Sequence, residues 1–340
     1  MRLQHVLTMS LAVMVSGAGA AAHASDEVNV YSARKEVLIR PLLERFTDAT
    51  GIEVNLISAD AGALLQRLKR EGRNTPADLV ITVDAGNLVR AKEANVLAPV
   101  NNQATRDHVP DAYQDPDGHW HGLSLRARVI FRSAERVEAG AIERYEELAD
   151  ERWREEICVR SSDSIYNQSL VASLVAHHGV EATEQWAEGL VANLARNPQG
   201  GDRDQIKAVA AGQCDLAIAN TYYYGRMIKS DGAAAEAANQ VELVWPNQDD
   251  RGAHVNVSGA GLTRHGPNRD NAERLLSYLL TEDAQRWYAE VNNEYPVRPD
   301  TEAASVLQAW GEFQADGLNL SELGEHNADA VRLMDRAGWR

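Results

Sequence analysis

The chain is poor in several things at once, and each shortage removes a class of function. It has two cysteines in 340 residues, Cys158 and Cys214, too few for a thiolate-built metal centre. Positive charge is scarce, with 34 Lys and Arg against 50 Asp and Glu and a formal net charge of -16, which argues against nucleic acid as a partner. No later segment approaches the roughly 20 apolar residues that a membrane-spanning helix needs, so no stable membrane insertion is expected. There is no G-x-S-x-G elbow, no P-loop and no H-E-x-x-H, and the chain is therefore expected not to be an enzyme. Histidines close enough to share an ion are confined to His119 and His121 and to the pair His177 and His178. The latter two suit the end of a helix better than a zinc site.

The amino terminus indicates export. Arg2, an apolar stretch from Val6 to Val15 and the small-residue sequence Ala22-His23-Ala24 before Ser25 read as a secretory leader over residues 1–24. The stretch is too short to span a bilayer, and no lipid-accepting cysteine follows it. Arg2 is the only charged residue of the leader, so the mature chain carries -16 - 1 = -17, a balance that favours solubility and attracts cations at long range. In an exported protein two cysteines suggest a disulfide, although two buried free thiols fit the spacing equally well. Each cysteine lies eight residues before a tyrosine, 158 before 166 and 214 before 222. Neighbouring strands in register would bring both pairs together, one at each end.

Those tyrosines are the most informative residues. Tyr222, Tyr223 and Tyr224 stand where the apolar run Leu216-Ala217-Ile218-Ala219 gives way to a turn, and Tyr166 follows a second run, Ile157-Cys158-Val159. In a parallel sheet, ligands bind at the carboxyl ends of strands, so phenols from two strand ends can converge. A phenol keeps its proton at neutral pH, its pKa being about 10, but a small, highly charged cation displaces that proton. Hard anionic oxygens suit hard cations, and phenolates without a histidine or thiolate cluster point to ferric iron, Fe(3+). Plain half-buried aromatics are the competing reading.

The pattern along the chain is alternating. Val28–Tyr31, Val54–Ile57 and Leu79–Val83 read as strands, separated by helices that begin near Arg40 and run from Ala61 to Arg70. Strand and helix in alternation predict an α/β fold with a parallel sheet. A segment rich in Asp, Pro, Gly and His, residues 111–122, precedes a long strand over Leu123–Phe131 that would carry the chain into a second unit. There a strand ends at Tyr166, and a helix capped by Asn167 stops at Gly179. Further helices lie over Trp186–Leu194 and from Asp202, and strands start at Cys214 and Val241. A run from His254 to Leu262 would return the chain. The expected architecture is two lobes with a hinge of two crossing strands, residues 25–124 plus 253–340 forming the first lobe and 125–252 the second. The tail from Thr301, helical by its Val306, Leu307 and Trp310 pattern, is expected on the first lobe.

Five stretches carry a resemblance. They are P-A-D-L-V-I-T-V-D (76–84), S-I-Y-N-Q-S-L-V-A-S-L (164–174), P-Q-G-G-D-R-D-Q-I-K-A-V-A-A-G-Q-C-D-L-A-I-A-N-T-Y-Y-Y-G (198–225), P-N-Q-D-D-R-G-A-H-V-N-V-S-G (246–259) and N-N-E-Y-P-V (292–297). Together they resemble the periplasmic ferric-iron-binding proteins of bacterial ABC importers, over roughly Val28 to Pro299. The resemblance implies a periplasmic-binding-protein fold and a monomeric receptor that captures Fe(3+) in the interlobe cleft and delivers it to an inner-membrane ABC permease. Residue by residue, it maps the ligands onto Tyr166, Tyr222 and Tyr223, with Tyr224 one place beyond the pair. Many relatives carry a His-Tyr ligand after the first strand, where this chain reads Tyr31-Ser32-Ala33-Arg34-Lys35-Glu36. The shell would then be completed by water, by an anion such as carbonate held by Arg34 or Arg126, or by Glu36 itself. The alternative is a cage of tyrosine faces around an organic cation such as a polyamine.

Overall fold

The computed structural model describes residues 26–340; the leader read over 1–24 lies outside the described residues. The chain opens on strand β1 (Glu27–Ser32), helix α1 (Arg40–Thr50), β2 (Glu53–Ser58), helix α2 (Ala61–Glu71) and β3 (Leu79–Val83). Proline is tolerated in the first turn of a helix because the N–H it lacks has no partner there, and Pro41 sits in the first turn of α1. The same helix ends at Gly51, whose φ of 74° is a left-handed conformation that glycine adopts without strain. The three strands are mutually parallel in the order β2-β1-β3, as alternation predicted. Helix α3 (Ala85–Glu93), the two-residue β4 (Leu97–Ala98) and helix α4 (Gln103–His108) complete the first pass through this lobe.

Strand β5 (His121–Ser133) then leaves the lobe. Farther on come β6 (Ile157–Cys158), α5 (Ile165–Ala192), α6 (Asp202–Ala210), β7 (Leu216–Asn220), α7 (Thr221–Ile228) and β8 (Val241–Val244). Strand β9 (Val255–Thr263) returns the chain, and β10 (Tyr295–Pro296) pairs with β5. Along its first half β5 is antiparallel to β9, from His121 opposite Ala260 to Ala127 opposite Val255. Along its second half it pairs with β7, from Arg128 opposite Asn220 to Arg132 opposite Leu216. One strand thus belongs to both lobes. Where β5 and β9 lie together, position 259 has no room for a side chain: a Cβ on Gly259 would come within 2.7 Å of the His121 carbonyl oxygen.

Each lobe has its own core. Val28, Val30, Phe46, Leu79, Leu262 and Leu276 pack together in the first, and Ile130, Ile157, Leu170, Leu174, Leu190 and Ile218 in the second. Two local expectations change. The strand before Tyr166 ends at Cys158, and the helix begins at Ile165, so Tyr166 lies in a helical first turn and Ser164, not Asn167, is the cap residue. As expected, the helical geometry stops at Gly179, whose φ of 79° and ψ of 170° are not helical, and a second helical stretch of α5 continues beyond that kink. The tail, expected on the first lobe, crosses between the two. Leu320 and Leu323 enter a first-lobe cluster, while Ala330, Leu333, Met334 and Trp339 pack into the core of the second. Its last helix, Asn327–Arg336, carries Ala330, Leu333 and Met334 at helical spacing, and this apolar stripe is what α5 covers.

Cys158 and Cys214 form a disulfide with Cα atoms 5.9 Å apart. The strands are parallel neighbours, but Cys158 pairs with Ala217, an offset of 59 rather than the 56 that separates the cysteines, so Cys214 reaches the bond from the turn before β7. The bond closes a loop with a sequence separation of 56. Replacing both cysteines with alanine is expected to lower unfolding stability by about 2–4 kcal/mol, read as a lower urea midpoint. An unchanged midpoint would mean that the bond contributes nothing to the second lobe.

Candidate functional site

The two tyrosine segments meet because both follow strands of the second lobe. Asn220 ends β7, and the next residues wind into α7, placing Tyr222 and Tyr223 in its first turn; Tyr166 holds the equivalent place in α5. The amino ends of both helices, with their unpaired N–H groups, therefore point where the phenols lie, and such ends favour negative charge. The Tyr222 hydroxyl donates to that of Tyr166 at 3.3 Å, and the rings of Tyr222 and Tyr223 lie with centroids 4.1 Å apart. Tyr222 is buried, and Tyr166 and Tyr223 are half-buried. Burial raises the pKa of Tyr166 and carries that of Tyr222 well above the usual phenol value, while the charge of Arg126 opposes the shift in both.

Arginines dominate the surroundings. Arg126 is 1 % exposed and donates from Nη2 to Ser258 Oγ, yet its buried Nε and Nη1 have no hydrogen-bond partner. Arg34 is buried in an ion pair with Glu294 at 3.1 Å and also donates to Ser258. Glu294 accepts from Ser124 Oγ at 2.6 Å. Of the two arginines expected around an anion, Arg34 is thus committed to a carboxylate, whereas Arg126 retains free donors. Arg226 lies with its Cζ 5.3 Å from the Tyr222 ring centroid, and Arg160 5.5 Å from that of Tyr166.

The remaining expected residues lie elsewhere. Glu36 turns to solvent and pairs with Arg40 at 2.6 Å. Tyr224 donates to the carbonyl oxygens of Ala238 and Val241, both at 3.3 Å, and packs against Phe131, so it faces the core of its own lobe. Tyr31, in the segment where the resemblance led to the expectation of a ligand, is fully buried and donates to Glu71 at 2.9 Å. The cluster Asp115, Asp117 and His119 is already bridged by Lys92, whose Nζ lies 2.6 and 2.8 Å from the two carboxylates and offsets one of their two charges.

Sequence reasoning missed the contacts that close the lobes over the tyrosines. Ser169, one turn after Tyr166, donates to Asp84 of the first lobe at 2.7 Å, and Lys229 donates to the carbonyl of Glu290 at 2.8 Å. Asp84 also accepts from Asn256 at 3.0 Å, and burial raises its pKa. It missed as well the polar floor beneath the tyrosines, where Arg128, Asp202 and Asn167 interlock. The one available signal was the density of polar residues flanking each tyrosine.

Comparison with known proteins places this arrangement. The profile of a family described as bacterial extracellular solute-binding protein matches residues 74–315. "Iron uptake protein A2" from Synechocystis sp. is 46% identical over 93% of this chain and 91% of its own length, and "Iron uptake protein A1" from the same organism 44% over 93% and 88%. Among solved structures, a Trichodesmium protein in complex with iron and citrate ligands superposes with a TM-score of 0.89 at 44% identity, covering 92% of this chain and 100% of that one. A ferric binding protein from Campylobacter jejuni gives 0.87 at 36%, with coverage of 92% and 100%.

The raised phenols make the iron-free protein sensitive to alkali in a defined direction. An unfolded tyrosine ionises near pH 10, before the folded Tyr166 and Tyr222, so the stability contributed by burying them neutral is full below about pH 10. It is lost as pH rises from there toward their folded values. Urea midpoints measured between pH 8 and 11 are expected to fall above pH 10 more steeply in the wild type than in a Tyr166→Phe, Tyr222→Phe double variant. Equal slopes would show that the two phenols titrate as if exposed.

Proposed function

The chain belongs to the bacterial extracellular solute-binding family, and from that membership we propose that it captures ferric iron in the cleft through Tyr166, Tyr222 and Tyr223 and delivers it to an ABC permease in the inner membrane. It is a solute-binding protein and not an enzyme. The observation that carries the reading is the meeting of Tyr166 with the Tyr222 and Tyr223 pair at two helix amino ends, the Tyr166 and Tyr222 oxygens 3.3 Å apart and the rings of the pair 4.1 Å apart. Relatives named for iron uptake and ferric binding support the choice of cargo, as does the Trichodesmium structure with its iron and citrate.

The chemistry follows from charge. Three phenolates cancel the charge of Fe(3+), and their hard oxygens match it. Each must lose a proton first. Three oxygens leave part of an octahedral shell open, and the free Nε and Nη1 of Arg126 would hold an anion such as carbonate or a citrate carboxylate there by charge-assisted bonds. This use of Arg126 gives its buried donors partners they otherwise lack. Closure of the lobes on β5 and β9, with Ser169 meeting Asp84, would exclude water from the cargo. The proposed division is 25–124 plus 253 onward against 125–252, with the tail recrossing. The periplasm is the proposed compartment, in line with the family description and with the 26% identical "Fe(3+)-binding periplasmic protein" of Serratia marcescens; the receptor would act as a monomer. An organic-cation cage fits poorly, because Arg126, Arg160 and Arg226 would repel the cation and Tyr222 and Tyr223 lie against each other rather than as facing walls.

Adding ferric citrate to purified protein is expected to produce a broad visible band from phenolate-to-iron charge transfer. Tyr166→Phe, Tyr222→Phe and Tyr223→Phe should each weaken it and lower affinity by at least about tenfold, the equivalent of about 1.4 kcal/mol, without unfolding the protein. A colourless wild type would sink the proposal. Because neutral phenols must ionise, binding should also release protons and weaken as pH falls, measurable by pH-stat titration in unbuffered solution; binding without proton release would mean that the tyrosines are not the ligands.

A further inference from the structure

Two guanidinium groups share a single carboxylate beneath the tyrosines. Asp202, at the start of α6 and 1 % exposed, accepts from Arg128 Nη1 at 3.1 Å and from Arg160 Nη1 at 3.2 Å. Arg128 is itself 2 % exposed, and its other partners are the neutral side-chain oxygens of Asn220, at 2.9 Å, and Asn167. No second carboxylate among the described residues pairs with either arginine. The buried His254, which feels the charge of Arg128, is held neutral: burial, then that charge, depresses its pKa to about 3. The cluster therefore carries one positive charge more than it cancels.

That surplus sits against both tyrosine-bearing turns. Asn167 directly follows Tyr166, and Asn220 lies two residues before Tyr222. Arg160 is the member that faces the ligands, with its Cζ 5.5 Å from the Tyr166 ring centroid. Its backbone carbonyl is fixed from two directions, by Asn167 Nδ2 at 3.0 Å and by Trp339 Nε1 at 2.8 Å. The Nε atoms of both arginines are buried without a hydrogen-bond partner. A buried ion pair that serves only the fold needs one cation per anion, since uncompensated buried charge is costly. Here the excess is unfavourable beside neutral phenols and becomes favourable when they are phenolates, so it stabilises the loaded state selectively.

We propose that the Arg128, Asp202 and Arg160 cluster is the fixed counter-charge of the tyrosine site, with Arg160 as the positioning residue through which it acts on the iron-bound phenolates. The inference rests on the ferric reading given above. A cation beside a phenolate lowers the energy of its donor electrons, so removing it brings the charge-transfer transition to lower energy.

The test compares wild type, Arg160→Gln and Arg160→Lys, each loaded with ferric citrate, with thermal unfolding recorded alongside and Tyr222→Phe as a reference for a damaged ligand set. Arg160→Gln is expected to shift the visible band to longer wavelength and to weaken retention of iron against added citrate by about tenfold, the scale of one desolvated cation–aromatic contact. Arg160→Lys, which keeps the charge, should recover most of the affinity and shift the band less. An unshifted band and wild-type retention in a folded Arg160→Gln protein would overturn the proposal, as would equal losses in both variants with no change of band, which is the signature of a purely structural role. Should Arg160→Gln fail to fold, Arg160→Met, neutral with a long apolar stem, takes its place: a band shifted to longer wavelength with weakened retention supports the proposal, and an unchanged band with unchanged retention overturns it. A wild type without a band is a separate result, and it removes the ferric reading on which the proposal stands.

Discussion

The structure depends on one strand that changes partners. Up to Ala127 β5 is bonded to β9, and from Arg128 onward it is bonded to β7. Residues two apart on a strand project from the same face, so Arg126 and Arg128 emerge on one side, immediately on either side of that change. The first ends among the hydroxyl and carboxylate groups of the hinge, and the second on Asp202. Positioned by a continuous hydrogen-bonded ladder, the two guanidinium groups are held more firmly than a loop would allow. The tyrosine turns are then tied to this strand: the side chain of Asn167 accepts from Arg128, and Thr221 Oγ1 accepts the backbone N–H of Ala127 at 3.4 Å.

Much of this was legible in the sequence, and the part that was not has a physical reason. Strand β3 over Leu79–Val83, helix α1 from Arg40, both crossing strands and the three converging phenols follow from periodicity, caps and punctuation, which are local. The start of α5 was misplaced because the run Ile157-Cys158-Val159 looked like a longer strand. Yet Ser161-Ser162-Asp163-Ser164 is a stretch of residue types favoured at helix starts, and the helix begins directly after it, at Ile165. The register between β6 and β7 could not be read from equal spacing, since a turn residue can reach across as well as a strand residue. The commitments of Arg34, Arg160 and Tyr224 depend on which elements pack together. Nothing within a few residues of Arg34 announces Glu294, 260 positions away.

The site itself is an electrostatic compromise. Burial, with a smaller push from the charge of Asp202, keeps the phenols protonated, while Arg126 favours their ionisation. A site with the phenols alone would bind a cation only at the full cost of removing protons in a poor solvent, and one with the arginines alone would repel it. Holding both together makes the pocket receptive to a cation that brings enough charge to displace the protons, and unreceptive to weaker ones. Glu294 and Ser258 absorb Arg34 and part of Arg126, which limits how much positive charge the cleft presents.

The tail gives the fold an order of assembly. Trp339 is wholly buried in the second lobe and bonded to the carbonyl of Arg160, so a segment near the middle of the chain waits for one synthesised 179 residues later. Until that residue has emerged, the α5 face that receives Ala330, Leu333 and Met334 stays uncovered. The second lobe is therefore finished by the segment 327–339, and its core closes only when residues far apart in the chain have met.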